Sequence, residues 1–156
     1  MTNEEIQAKC VEEEQKYQFP SFNQDDAFKL GTMLYQTAQE EFGKPIAIEI
    51  RINHLVVFRY LPEGTGANQC IWLKAKADTV DCMRISTYHF WADVACGGRG
   101  LKERRLDENK YLCMGGGFPI RIRNSSVVGT ICVSAFKHFE DHQVIVDTLE
   151  KYFKQL

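Results

Sequence analysis

The sequence predicts an α+β fold in which helices pack on one mainly antiparallel sheet, and three observations predict it. Residues 115–133, GGGFPIRIRNSSVVGTICV, read as a glycine loop, a strand alternating Ile120 and Ile122 with Arg121 and Arg123, a turn at Asn124-Ser125 and a second strand. That second arm, residues 127–133, is apolar on both faces, which places it mid-sheet with cover above and below. Residues 45–52 set Ile46, Ile48, Ile50 and Ile52 against Ala47, Glu49 and Arg51, a period of two that points four isoleucines to one side. Helical patterns lie between and around these hairpins, so the class is α+β.

The elements follow in order. Residues 3–18 mix Glu, Gln and Lys with only Ile6, Ala8, Val11 and Tyr17 apolar, as in a solvated helix leaning lightly on the body. Pro20 breaks it. Asn23 or Ser21 caps the next helix, whose first turn carries Asp25 and Asp26 and whose Ala27, Leu30, Gly31, Leu34, Ala38 and Phe42 recur at helical spacing until Gly43. Asn53-His54 turns the isoleucine strand into a second arm, residues 55–60, which ends at Pro62 and the PEGTGAN loop. Residues 67–83 form a helix with Ile71, Ala75, Thr79 and Cys82 along one side. Ser86 then caps an aromatic helix, residues 86–94, in which Tyr88, Phe90 and Trp91 seek cover. The basic stretch 99–105 reads as a solvated loop running to a short strand at 111–114. After the hairpin, residues 134–137 turn into a last helix with an apolar stripe of Val144, Ile145, Thr148, Leu149, Tyr152 and Phe153. Acids in its first turn and lysines in its last match the dipole.

A chain of 156 residues suits one domain, 1–156, with residues 1–20 as a peripheral N-terminal helix. Nineteen basic against twenty-one acidic side chains give a net charge of -2, which removes any global electrostatic case for nucleic acid or an anionic membrane. No apolar run has the length of a membrane span and the first residues are charged, so the expected address is cytoplasmic. Six scattered cysteines without a C-x-x-C pair argue against a zinc ribbon or thioredoxin motif and for free thiols, with Cys132 in the core.

Several groups carry chemistry. Gly115-Gly116-Gly117 before Phe118-Pro119 reads first as a sharp strand entry and second as bare backbone open to a ligand, and it is not a phosphate loop. His138 and His142 stand one helical turn apart, but the segment matches no zinc-protease pattern, so no metal is assigned and Asp141 reads as a helix cap. Glu49, Arg51, Arg121 and Arg123 read as an exposed ladder worth about 0.2–1 kcal/mol per pair, with Glu49 as an anchor or proton acceptor in the sharper reading. Ser86 with Arg84 and Asp81 lacks a nucleophile elbow, and Cys113 and Met114 read as packed in preference to haem ligands. The run Arg99, Lys102, Arg104 and Arg105 lacks interleaved aromatics, which ranks nucleic acid low.

Taken together, the chain resembles the UPF0303-type branch of the haem-degrading-domain-like superfamily, the relatives of the HbpS and GlcG groups. The matching residues are Leu30-Gly31, Pro45-Ile46-Ala47-Ile48-Glu49-Ile50, Gly64-Thr65, Asn68, Trp72, Lys76 and Thr79-Val80. They continue through Ser86, Tyr88, Tyr111, Gly116-Gly117-Phe118-Pro119-Ile120, Val128-Gly129-Thr130, Val133-Ser134 and Glu140-Asp141-His142. The resemblance implies profilin-like α-β-α layers with a five-stranded mainly antiparallel sheet and helices on both faces, assembled as a homo-oligomer. It also implies a cleft near the glycine loop and the start of the last helix. The sequence departs from the family at Ile85 and Met114, where histidines are usual, at Ala135 for Gly, and at Ala75 for Arg.

The resulting expectation is a cytoplasmic, oligomeric small-ligand-binding protein. Its ligand would be held by Glu49, Asn68, Trp72, Lys76, Ser86, Gly116, Gly117, Phe118, Asp141 and His142. The cofactor is unassigned, haem being the one the resemblance brings forward; no catalytic residue, nucleic acid or membrane partner is assigned. The alternatives are a homo-oligomeric scaffold with a vestigial cleft and a hydrolytic or redox enzyme.

Overall fold

In the computed structural model, which describes residues 1–135 and 137–156, the isoleucine strand and the two-faced apolar strand lie side by side. The described residues form α1 (Asn3–Lys16), α2 (Gln24–Phe42), β1 (Ala47–Ile52), β2 (Leu55–Tyr60), α3 (Ala67–Met83), α4 (Thr87–Ala95), β3 (Gly117–Arg121), β4 (Val127–Ser134) and α5 (His138–Lys154). The sheet is antiparallel throughout, in the order β2-β1-β4-β3. Its central position suits β4, whose residues are buried except for half-covered Val128. The expected turn between β4 and α5 includes Phe136, which lies outside the described residues.

The sheet has four strands, where five were expected. Residues 111–114 pair with no strand because their backbone is satisfied elsewhere: Leu112 N–H donates to Thr79 Oγ1 of α3 at 3.0 Å, and Tyr111 N–H to the Asp107 carbonyl at 2.9 Å. The glycine-led arm β3 is an edge strand, yet its edge is partly covered. Phe19 N–H donates to the Arg121 carbonyl and Arg123 N–H to the Phe19 carbonyl, both at 2.8 Å, making one parallel bridge. Phe19 is fully buried, with its ring against Phe22, Tyr152 and Phe153.

Alternation in β1 divides the core. Ile46, Ile48 and Ile50 are fully buried against α2 and α5, which present Leu30, Leu34, Val144, Ile145 and Leu149. Ala47, opposite in sense, packs with Cys132 under Leu73 and Ala77 of α3. The covered face of α3 is therefore Leu73, Lys76, Ala77, Thr79 and Val80, whereas Ile71 and Cys82, expected on the inner side, are exposed. Helical phase explains the correction: the inner residues include a lysine, so the hydrophobic pattern alone was misplaced by about one residue.

Asn23 caps α2 in a reciprocal box with Asp26, and Gly43 ends it in the left-handed region at φ 63°. Asn53 and His54, both left-handed, make the β1–β2 turn. α1 packs on α4, where Glu14 accepts from Ser86 N–H at 2.9 Å and meets His89 at 3.0 Å. Burial opposes protonation of His89, but Glu14 and Asp93 raise its pKa overall. All six cysteines are unpaired, and burial pushes the Cys10 thiol up to about 12 and Cys113 to about 11.

Gly129 on β4 faces the β1 backbone so closely that a Cβ would lie 2.1 Å from the Arg51 carbonyl oxygen. The first atom met is strand backbone, which cannot yield, and the end of the Ile120 side chain stands at 3.2 Å beside it. Gly129→Ala is expected to lower stability by about 3 kcal/mol, the upper part of the range for overpacking, seen in urea titration as a lower midpoint at unchanged slope.

Candidate functional site

The glycine loop leads from the α4–β3 connection into β3 and lies against three helices at once. Room is the reason for three glycines. A Cβ on Gly115 would meet the His138 carbonyl oxygen at 2.5 Å, and one on Gly117 would meet Val80 and Thr87 at 3.0 and 3.1 Å. At Gly116, with φ 120°, it would meet Lys76 Nζ at 2.5 Å and the Val133 carbonyl oxygen at 2.8 Å. Two N–H groups of the loop are used internally: Gly115 donates to His138 Nδ1 at 3.1 Å and Gly117 to Thr87 Oγ1 at 2.9 Å. The loop is a close-packed junction.

At this junction Lys76 is 3% exposed. Its Nζ donates to the Val133 carbonyl at 2.8 Å and to Asp141 Oδ2 at 3.1 Å, so one ammonium joins α3, the end of β4 and the first turn of α5. Asp141, expected as a helix cap, thus pairs with Lys76, while Glu140 reaches back to accept from Lys137 N–H at 3.3 Å. A buried ion pair is favourable only when geometry and extra hydrogen bonds offset desolvation, and here the strand carbonyl supplies one.

Beside the pair opens a cleft of about 270 Å³, walled by Gln69, Trp72, Lys76, Met114, Ser134, Ala135, His138 and Asp141. Trp72 and Met114 are partly exposed there, at 39% and 44%. Burial, Lys76 and His142 all lower the His138 pKa, so the ring is neutral at pH 7. Because Nδ1 accepts from Gly115, the neutral ring carries its proton on Nε2.

The expected site residues divide into groups. Trp72, Lys76 and Asp141 line the cleft, and Gly116 and Gly117 pack against Lys76 behind it. Asn68 is exposed on the first turn of α3. Phe118 is fully buried in the core under α5, away from the cleft wall. Ser86 caps α4, with its oxygen accepting from His89 N–H, on the side facing α1. His142 turns to α1 as well, with Nε2 2.7 Å from Glu13 Oε1, so the two histidines one turn apart do not share a site. Tyr88 lies between them, 5.5 Å from His138 and 4.9 Å from His142, ring centre to ring centre.

Glu49 overturns the exposed-ladder expectation. It is fully buried and accepts from Arg51 Nε at 2.6 Å and Arg59 Nε at 2.8 Å. Its register partner Arg59 lies across the hairpin on β2, whereas Arg121 and Arg123 lie beyond β4. Sequence reasoning passed over His138, Met114, Gln69 and Ser134 as cleft residues. The glycine triplet and the family resemblance both signalled that the start of α5 comes close.

Known proteins share this fold. Residues 22–150 match the family described as Haem degrading protein HbpS-like, and the chain belongs to that family. It is similar to a UPF0303 protein of Yersinia enterocolitica, 29% identical over 144 residues that cover 92% of this chain and 85% of the relative. Among solved structures it is similar to the Ybr137w protein, with TM-score 0.86, 24% identity and coverage of 96% of this chain and 88% of the other. It is also similar in fold to a structure described as a PduOC:heme complex, with TM-score 0.69, 19% identity and coverage of 85% and 94%.

Removing one member of the Lys76–Asp141 pair strands a charge. Lys76→Met is expected to cost about 3–5 kcal/mol, while Lys76→Met with Asp141→Leu recovers most of it. Urea unfolding of the two single variants and the double variant measures the coupling; additive losses would show that the pair is not a unit.

Proposed function

We propose that this HbpS-like protein, read as one domain over residues 1–156, binds a small planar carboxylate-bearing ligand in the cleft beside the glycine loop. One observation carries the reading: two fixed donors and an exposed aromatic face meet in one concavity. Lys76 spends two of the three donors of an ammonium on Val133 and Asp141, which leaves the third for an acceptor. His138 adds a neutral Nε2–H donor. The Trp72 ring and Met114 supply apolar cover for a flat molecule. Asp141 fixes Lys76, the glycines bring the two together, and Asn68 stands on the α3 turn that leads into the cleft. Glu49, Ser86, Phe118 and His142 act as supports away from the ligand.

A tetrapyrrole is the first ligand to test, because a structurally similar protein is described as a haem complex. The cleft, at about 270 Å³, falls just below the range of roughly 300–1,000 Å³ for pockets that enclose a drug-sized ligand. One chain therefore covers only an edge of a tetrapyrrole, and a second copy would cover the rest. Six unpaired cysteines suit a reducing compartment, and we place the protein in the cytoplasm. No helix among the described residues is long and apolar enough to cross a membrane.

Hemin and a panel of small aromatic carboxylates, titrated with absorbance and tryptophan fluorescence, test this reading. Saturable binding that weakens about tenfold in Trp72→Ala is expected, the loss of one aromatic contact of about 1–1.5 kcal/mol. Silence across the panel, or binding untouched by Trp72→Ala, rejects the cleft as the site.

A second reading, assembly of identical chains, is favoured by the open edge strand. β2 exposes Leu55 at 58%, Val56 and Tyr60, with Phe28 of α2 beside its Phe58. An apolar unpaired edge is a template for another strand, and natural proteins usually blunt such edges. Light scattering after gel filtration should give a homo-oligomer that falls to a smaller species in Leu55→Lys/Tyr60→Lys. A wild-type monomer would remove this reading.

A further inference from the structure

On the side of α5 turned away from the cleft, α1, α4 and α5 border a second cavity of about 230 Å³. Cys10, Glu13 and His142 all line it and all are buried. The Cys10 sulfur, a Glu13 carboxylate oxygen and a His142 ring nitrogen lie within 4.8 Å of one another. Helical geometry assembles them: Cys10 and Glu13 are three residues apart on one face of α1, and α5 delivers the imidazole opposite. A separate observation concerns the same imidazole. His142 is 2% exposed, and its Nδ1 has no hydrogen-bond partner. Buried polar atoms are rarely left so, and a bare Nδ1 is free to take up a proton when Nε2 changes partner.

We propose that Cys10, Glu13 and His142 form a mononuclear site for a divalent transition ion of the zinc and cobalt type, open on its cavity side. The donor set selects the metal. A thiolate and an imidazole favour borderline ions over magnesium or calcium, which take oxygen ligands. Three protein ligands with a fourth position facing a cavity is the open form of such a site, in contrast to a closed four-ligand structural site. One thiolate and one carboxylate with a neutral imidazole exactly balance a 2+ charge, so the loaded site buries no net charge. On binding, the Cys10 thiol gives its proton to solvent and sulfur bonds the metal, with no change of oxidation state. A tetrahedral ion with bonds of about 2.0–2.3 Å holds its ligand atoms roughly 3.3–3.7 Å apart. Loading at His142 Nε2 therefore opens its 2.7 Å contact with Glu13, the proton held in that contact passing to Nδ1 of the ring, and draws the sulfur in. The site does not depend on the cleft, from which Tyr88 and α5 separate it.

Titration of the reduced, metal-stripped full chain with Co²⁺ tests this proposal. One equivalent is expected to bind, with a sulfur-to-cobalt charge-transfer band and tetrahedral ligand-field bands, and Zn²⁺ should displace it. Cys10→Ser should abolish the charge-transfer band, His142→Gln should weaken binding about tenfold or more, and Cys96→Ser should change neither. Absence of a saturable band overturns the site, as does a band that survives Cys10→Ser. Circular dichroism checks that each variant folds. Should Cys10→Ser fail to fold, alkylation of the wild-type chain followed by peptide mass analysis decides: Zn²⁺ should slow modification of Cys10 selectively, and equal rates with and without Zn²⁺ overturn the proposal.

Discussion

The Lys76 ammonium is the constraint from which the architecture around the sheet follows. Taken out of water, it must be met on more than one side, and it is met by a strand carbonyl and by the first turn of α5. Both partners approach only because residue 116 has no side chain. The glycine triplet, the burial of a lysine within an otherwise apolar helical face and the position of Asp141 are thus one fact seen from three elements. Thr87, which accepts from Gly117, extends the same junction to α4.

α5 separates two chemical environments through adjacent residues. Asp141 turns toward α3 and the strand end, and His142 toward α1, because neighbours on a helix diverge by about 100°. One side presents a cation, a neutral imidazole and an indole around a concavity; the other presents sulfur, carboxylate and imidazole around a second. Nothing in the fold requires both to be used for one purpose. Both depend on how α5 is seated over β4, and the apolar stripe of Val144, Ile145 and Leu149 on the isoleucine face fixes that seat.

Elements with one dominant period were legible in the sequence. The isoleucine alternation gave β1 its inner face, two-sided apolar character placed β4 in the middle, and Asn23, Gly43 and Ser86 marked helix ends where they occur. α3 was less legible because its covered face carries Lys76, which breaks the apolar stripe and shifts the apparent phase. The fifth strand failed for a different reason: residues 111–114 look like a strand locally, but Thr79, far away in sequence, takes the hydrogen bond a neighbouring strand would need. At the candidate site, Trp72, Lys76 and Asp141, brought forward by family resemblance, meet as three walls of the cleft. His138 was read only together with His142, and Glu13 was invisible as a partner, since nothing in a glutamate-rich helix separates it from Glu12 or Glu14 except the face on which it lands. Glu49 was misread because register, not composition, chose Arg59 as its partner.

The strap at Phe19 makes the two margins of the sheet unequal. The β3 margin is bonded to its own chain at one bridge by its end, while the β2 margin keeps its backbone turned outward. A strand added at the β2 margin meets an open backbone, and two such margins can join about a two-fold axis, whereas one added at the β3 margin meets the Phe19 segment at its end. The segment between α1 and α2 therefore acts as a buffer at one end of the sheet, working against the head-to-tail strand addition from which fibres grow.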